Sequence, residues 1–320
     1  MDIRIIPVIG DSHTWGEGVG AEGRFQPAVC CGDLRPLPFT PPCYVNLLRE
    51  RLNRETGSAC SEHEWMGGLA VEAGKPLVIP DAFSLARVFF IAEAEKAAAQ
   101  LTAEGCDPVT VTLQSDTDTY NTRMRVAHLI CPKGDTAGLA VACSGGGRIL
   151  VYRVELYTGP YALVNCGIGS CPVGKYTDAY FASYVESLSP YAILFEGCTI
   201  NDWLLTSSPL KYAADLRRML VAQRNLTPRV LWHTVTPVGG SQVSGQGTTY
   251  SDYVNAMRSA AAEAHVPLVD CNASMTAILD AMPEEERAPY FYHDPWHPNG
   301  EGHRLYAEEI FPRLMGLFGS

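Results

Sequence analysis

The chain has 320 residues, with 24 Lys and Arg against 35 Asp and Glu, a formal charge of −11, and 47% hydrophobic and 18% charged residues. This composition supports a folded core and excludes intrinsic disorder as the main state, and the length allows two modest domains or one decorated one. The negative balance repels nucleic-acid phosphates and anionic lipid headgroups, so neither is expected as a partner. The eleven cysteines are scattered, odd in number and free of any C-x-x-C pair. That pattern argues against a zinc knuckle or a redox dithiol and for buried free thiols in a reducing compartment.

The opening stretch, residues 1–10, is too short for a secretory leader and lacks a small-residue cleavage site. No later run reaches about 18 apolar residues, so no membrane span is expected and the chain is expected in the cytoplasm. Residues 3–9 predict a buried strand that ends at Gly10, and the spacing of Tyr44, Leu47, Leu48 and Leu52 predicts a helix over 43–54. An alanine-rich helix is expected over 81–103, followed by strands at 109–113, 124–130, 139–143 and 148–156. From there strands at 161–165, 191–195, 229–233 and 266–269 alternate with helices at 178–187, 209–224, 249–264, 272–282 and 299–315.

The alternation predicts an α/β protein with a mainly parallel, doubly wound sheet. Strands that follow one another without helices pair antiparallel, so the middle of the chain reads as a β-rich insertion. The expected organisation is a catalytic domain in two segments, 1–56 and 161–320, interrupted by a module at 57–160. No fixed-period repeat is present.

The chemistry concentrates at two places. Gly10-Asp11-Ser12 follows the first strand, where ligands bind in open α/β sheets. Asp294-Pro295-Trp296-His297-Pro298-Asn299-Gly300 is held as a loop by its prolines and glycine, and an Asp three residues before a His can turn back onto the imidazole. Ser12, His297 and Asp294 therefore make a candidate triad of nucleophile, base and orienting acid.

These segments resemble the SGNH hydrolases, or GDSL-like esterases and lipases, whose first block is Gly-Asp-Ser and whose last is Asp-x-x-His. The resemblance implies a three-layer α/β/α sandwich and a serine esterase for short acyl groups, with O-acetyl groups on a carbohydrate as the substrate class. It further implies an oxyanion hole made by the backbone amides of Ser12 and of Ser170 or Gly169, and by the side chain of Asn201. Two blocks depart from the family pattern. Asn165-Cys166-Gly167-Ile168-Gly169-Ser170 has Ser170 at an expected glycine, and Thr199 precedes Asn201-Asp202 where a glycine is usual. No cofactor or metal is implied. Trp203 and Trp296 adjoin the site residues and could line a substrate pocket.

Other patterns carry less. Gly18, Gly20 and Gly23 match a dinucleotide fingerprint, but the prolines that follow leave no helix to open after it. Gly169 to Lys175 resembles a phosphate loop until Tyr176, and Pro172 removes a cradle N–H. His293, Asp294, His297 and His303 could be read as a metal cluster, although packing is the commoner role for a histidine such as His303 on the last helix. His13 reads as a packing residue of the turn. The insertion could cap the pocket, bind a glycan or mediate homo-oligomers. Rival functions are a thioesterase or acyltransferase with the same triad, and a carbohydrate-binding module with a decayed esterase core.

Overall fold

The structure is a computed structural model that describes residues 2–16, 43–93, 96–112, 124–132, 134–205, 208–239 and 247–318. The glycine pattern at Gly18 to Gly23 lies outside them. Contacts divide the chain into two compact units, one comprising Glu50–Ala162 with the residues before Ile6, the other Leu163–Ser320 with the segments from Ile6 and up to Arg49.

Strand β1 (Arg4–Gly10) is buried from Ile5 onward, and a single turn, α1 (Ser12–Trp15), follows at once. Helix α2 (Tyr44–Thr56) buries Tyr44, Val45, Leu48 and Leu52 on one stripe, as the spacing predicts. Eight strands come next: β2 (Ala59–Glu72), β3 (Leu77–Phe83), β4 (Leu85–Ala92), β5 (Ala98–Thr102), β6 (Val109–Thr112), β7 (Met124–Ile130), β8 (Thr136–Ser144) and β9 (Arg148–Thr158). They form two four-stranded sheets in the orders β2-β9-β4-β7 and β3-β8-β5-β6. The pairings within them are antiparallel. Both sheets contribute to one apolar core, with Val88, Phe90 and Val151 from the first and Ala99, Leu139 and Val141 from the second.

The helix expected over 81–103 is therefore wrong. Ala86, Val88, Phe90 and Ala92 all enter the core, as do Ala97, Ala99 and Leu101. Core residues at every second position are a strand's periodicity, and the partners on either side override alanine's preference for helix. The expectation of free thiols also needs correction at one pair. Cys106, after β5, and Cys131, after β7, form a disulfide with Cα atoms 5.3 Å apart, because strands distant in sequence bring them side by side. Cys43, Cys60, Cys143, Cys166, Cys171, Cys198 and Cys271 lie outside that disulfide.

The chain returns through β10 (Tyr161–Gly167) to α3 (Val173–Lys175), a π turn at Tyr176–Tyr180, α4 (Phe181–Tyr184) and a 3-10 turn at Glu186–Leu188. It then alternates as β11 (Ile193–Glu196), α5 (Thr199–Leu204), α6 (Pro209–Leu226), β12 (Val230–His233), α7 (Tyr250–Glu263), β13 (Leu268–Val269), α8 (Cys271–Asp280), α9 (Glu284–Phe291) and α10 (Gly300–Gly316). The strands assemble in the order β10-β1-β11-β12-β13. The pairs from β1 to β13 are parallel, with Val8 opposite Leu194, Leu194 opposite Leu231 and Trp232 opposite Leu268.

This is the mixed α/β fold with a parallel sheet that the alternation predicts. Every residue of β11 and β12 is buried, as expected of parallel strands covered on both faces. Ile193, Phe195, Val230 and Trp232 share one core with Tyr212 and Leu216 of α6 and Tyr253 and Met257 of α7. The earliest strand lies between β10 and β11, so the sheet order reverses at β1. The crevice beyond the carboxyl end of such a strand is where open α/β sheets hold ligands.

Candidate active site

Gly10 closes β1, and a Cβ there would run into Thr14 Oγ1 and the carboxylate of Glu196. Only glycine lets the strand turn this tightly into α1. Asp11 caps the turn by accepting from the His13 N–H at 3.0 Å, and Gly16, at φ 105°, ends it in the left-handed region. Ser12 thereby stands first in the turn, at 4% exposure.

His297 lies on the segment between α9 and α10. That segment is pinned by His293 N–H donating to the His297 carbonyl at 2.9 Å and by Asn299, which caps α10. Asp294 spends its Oδ1 on the backbone N–H groups of Trp296 (2.7 Å) and His297 (2.8 Å), which leaves Oδ2 for His297 Nδ1 at 2.8 Å. Nδ1 thus carries the proton, and His297 Nε2 is free to accept from Ser12 Oγ at 2.9 Å. Burial opposes ionisation of Asp294, but the His297 hydrogen bond and charge, with the two N–H donors, outweigh it and hold its pKa at about 2.

Asn201, in the first turn of α5, is 7% exposed and donates Nδ2 to Asp11 Oδ2 at 2.7 Å. Asn165 fastens the end of β10 to the Ser12 turn by donating to the Thr14 carbonyl at 2.8 Å and accepting from Gly167 N–H at 2.9 Å. A Cβ on Gly167 would collide with the backbone of Thr14 and Trp15, so this block needs a glycine where β10 meets α1. Ser170 adopts φ 54°, the conformation glycine favours, which accounts for the glycine usual at this position. Thr199 uses its hydroxyl to bond Tyr212 OH at 2.8 Å, and Asp202 accepts the Val173 N–H at 2.8 Å. Trp203 is 2% exposed, donates to the Thr248 carbonyl and packs against Tyr250, so little of its ring can face a substrate. Trp296 meets it edge-on, with ring centroids 5.6 Å apart, and is only partly buried.

Beneath the triad lies a buried polar cluster that sequence reading passes over. Asp11 N–H donates to Glu196 Oε2 at 3.0 Å, as does Thr14 Oγ1 at 2.7 Å. Thr14 Oγ1 also meets Tyr44 OH at 2.7 Å, and that hydroxyl reaches His233 Nε2 at 3.2 Å. His13 Nδ1 meets Asp11 Oδ1 at 2.9 Å, and His13 Nε2 meets the Trp296 carbonyl at 2.9 Å.

Burial works against a charge on His13. Asp11, by charge and hydrogen bond, together with Glu196 and the Trp296 carbonyl, overcomes it and lifts the pKa to about 9. Burial first, then Asp11, pushes Glu196 up to about 8, so it is a neutral acid beside the Asp11 carboxylate. Burial depresses His233 to about 3. The signal available in sequence was Glu196 itself, an acid closing a strand that is otherwise apolar.

The ligand atoms of Asp11, His13 and Glu196 lie within 4.8 Å of one another and could hold a metal ion. Asp11 and His13 already satisfy each other there. Among the described residues, the alternative set of His293, Asp294, His297 and His303 does not converge as a metal cluster, and His303 Nδ1 accepts from the Tyr44 N–H at 3.1 Å. No helix among the described residues is long and apolar enough to cross a membrane.

The chain is similar in structure to one described as "Peptidoglycan O-acetylesterase in action, 5 min", with a TM-score of 0.56 and 11% identity over 100% of this chain and 93% of that one. It is also similar to LAE5, an alpha/beta hydrolase enzyme from the metagenome of Lake Arreo, Spain, with a TM-score of 0.51 and 12% identity over 99% and 98% of the two chains. No curated protein matches the sequence. Residues 136–305, just over half of the chain, match the GDSL-like Lipase/Acylhydrolase family; the match takes in Asn165, Asn201 and the Asp294 to His297 segment and begins after Ser12. The chain belongs to this family, within the SGNH hydrolases, and is a hydrolase of ester bonds.

Proposed function

We propose that the protein is a serine esterase that removes short acyl groups, above all O-acetyl groups from a carbohydrate. The observation that carries the reading is the relay from Ser12 Oγ through His297 to Asp294, two hydrogen bonds of 2.9 and 2.8 Å. His297 Nε2 takes the Ser12 proton as Oγ attacks the ester carbonyl, and Asp294 stays ionised and steadies the imidazolium. The backbone amides of Ser12 and of Ser170 or Gly169, with the second N–H of Asn201 Nδ2, hold the oxyanion. The protonated His297 then gives its proton to the departing alcohol. Water, activated by the same nitrogen, releases the acyl group from Ser12.

The acetyl preference is supported by the peptidoglycan O-acetylesterase to which the fold is similar. We further propose that 1–56 and 161–320 form the hydrolase domain as a three-layer α/β/α sandwich, with 57–160 as an inserted β-rich module. The cytoplasmic location expected for the chain is supported by the seven cysteines outside a disulfide among the described residues and runs against the Cys106–Cys131 disulfide, a bond rare in reducing compartments.

The test compares wild type with Ser12→Ala on p-nitrophenyl acetate, butyrate and octanoate, with and without EDTA, and on acetylated xylo-oligosaccharides and O-acetylated peptidoglycan fragments. Acetate release that falls by at least about 10³-fold in the variant, ignores EDTA and extends to one of the glycans supports the reading. Equal rates for the two proteins overturn it. Faster turnover of an acyl-coenzyme A than of any oxygen ester moves the assignment to a thioesterase.

A further inference from the structure

The residue after the nucleophile has no part in the relay, yet it is wholly buried and both of its ring nitrogens are engaged. His13 Nδ1 lies 2.9 Å from a carboxylate oxygen of Asp11, and Nε2 lies 2.9 Å from the backbone carbonyl of Trp296. Neither partner can donate to the ring. Both bonds therefore require a hydrogen on each nitrogen, so His13 is an imidazolium held between two acceptors.

What it connects matters more than its charge. Asp11 precedes Ser12 and, through Oδ2, accepts the amide of Asn201 at 2.7 Å. Trp296 precedes His297, and its N–H is already bound to Asp294. The residue before the general base is thus gripped from both sides, its N–H by Asp294 and its C=O by His13. Nucleophile turn, oxyanion side chain and base segment meet at one Asp11–His13 pair. The His13 and His297 rings stand with centroids 5.3 Å apart.

We propose that His13 is a positioning residue that anchors the His297 segment to the Ser12 turn through the Trp296 carbonyl, setting the distance between base and nucleophile. The inference rests on the triad reading above. Releasing this anchor lets His297 Nε2 drift from Ser12 Oγ, and a misplacement of about 1 Å can cost about 10²-fold in rate. Substrate contacts are untouched, so the loss falls on kcat and not on KM.

Two variants separate this role from simple packing. In His13→Gln the side-chain amide reaches the place of Nε2 and can still donate to Trp296. In His13→Asn the amide reaches only the place of Nδ1, keeping the Asp11 bond and losing the anchor. Both remove the same charge and both leave a polar side chain, and circular dichroism with thermal unfolding establishes that each is folded.

On p-nitrophenyl acetate, His13→Asn is expected to lower kcat by about 30-fold to 100-fold. His13→Gln should keep at least tenfold more of the kcat than His13→Asn, with KM within threefold of wild type in both. Equal kcat in the two variants overturns the proposal, and so does a His13→Asn rate within threefold of wild type. Should His13→Asn not fold, His13→Gln decides alone: kcat within tenfold of wild type supports the anchor, and a greater loss overturns it. Ser12→Ala, run alongside, isolates the premise: if it retains activity, the triad reading falls and not merely the role of His13.

Discussion

Asn201 donates its side-chain amide to Asp11, the residue that precedes Ser12, at 2.7 Å. One N–H of Nδ2 is committed to this bond, and in the mechanism proposed above the other faces the developing oxyanion in a fixed direction. A donor oriented before the reaction costs no reorganisation during it. Asn201→Ala is therefore expected to lower kcat on p-nitrophenyl acetate by about 10²-fold to 10³-fold, with KM nearly unchanged. A rise in KM with kcat preserved would remove Asn201 from the oxyanion hole.

The second prediction concerns the tautomer of His297. Asp294 binds Nδ1 and so reserves Nε2 for Ser12. An asparagine at 294 can present its N–H to Nδ1, which reverses the ring's protonation and places a hydrogen toward Ser12. Asp294→Asn should drop kcat by about 10⁴-fold at neutral pH with the fold intact, as seen by circular dichroism. A loss under tenfold would show that Asp294 does not set the tautomer.

Stability should weaken on both sides of neutrality, for different reasons. Asp294 sits at about 2 in the folded protein against 3.8 ordinarily, so its contribution is present above 3.8 and is lost as pH falls through about 2. His13 is raised from 6.5 to about 9, so its contribution is complete below 6.5 and is lost as pH rises through about 9. Glu196, raised from 4.5 to about 8, acts in the same alkaline direction, since its neutral form is the one the fold accommodates. Urea midpoints measured from pH 6 to pH 10 should fall from pH 6 and level off above about 9, and the fall should be less steep in His13→Gln. Midpoints that stay flat from pH 6 to about 9 would contradict the charged assignment of His13.

Cys106 and Cys131 are 25 residues apart in sequence. Closing a loop of that size restricts the unfolded chain enough to stabilise the fold by about 3 kcal/mol. The double variant Cys106→Ser with Cys131→Ser should lower stability by about that amount in urea unfolding. Mass spectrometry of the alkylated native protein should find these two cysteines protected until a reductant is added.

Much of the α/β part was legible because parallel strands covered on both faces announce themselves as short, continuous apolar runs. Ile193 to Phe195 and Val230 to Trp232 are of that kind, and each is followed by an amphipathic helix. The 81–103 segment misled because alanine is common to helices and to tightly packed sandwiches. The alternation of Ala86, Val88, Phe90 and Ala92 was present in the sequence but outweighed by composition. Ser12, Asp294, His297 and Asn201, which hydrogen bonds join to one another or to Asp11, stand in short blocks that the sequence displays directly. Asp11, His13 and Glu196 could not be joined in advance. Their bonds cross from one strand end to the next, and a histidine after a nucleophile looks the same whether it packs or bridges. The Cys106–Cys131 bond was hidden likewise, since it depends on which strands become neighbours.

The bond from Ser12 to His297 spans 285 positions of sequence. The serine and its imidazole partner are therefore brought together only when the chain between them has folded. Until α9 and the segment beyond it have docked onto the sheet, the Ser12 hydroxyl has no His297 to bond. A protein with such distant pairings folds late and collectively. Esterase activity in this chain therefore reports complete folding, and a product truncated before His297 should neither hydrolyse an ester nor trap an acyl group on Ser12.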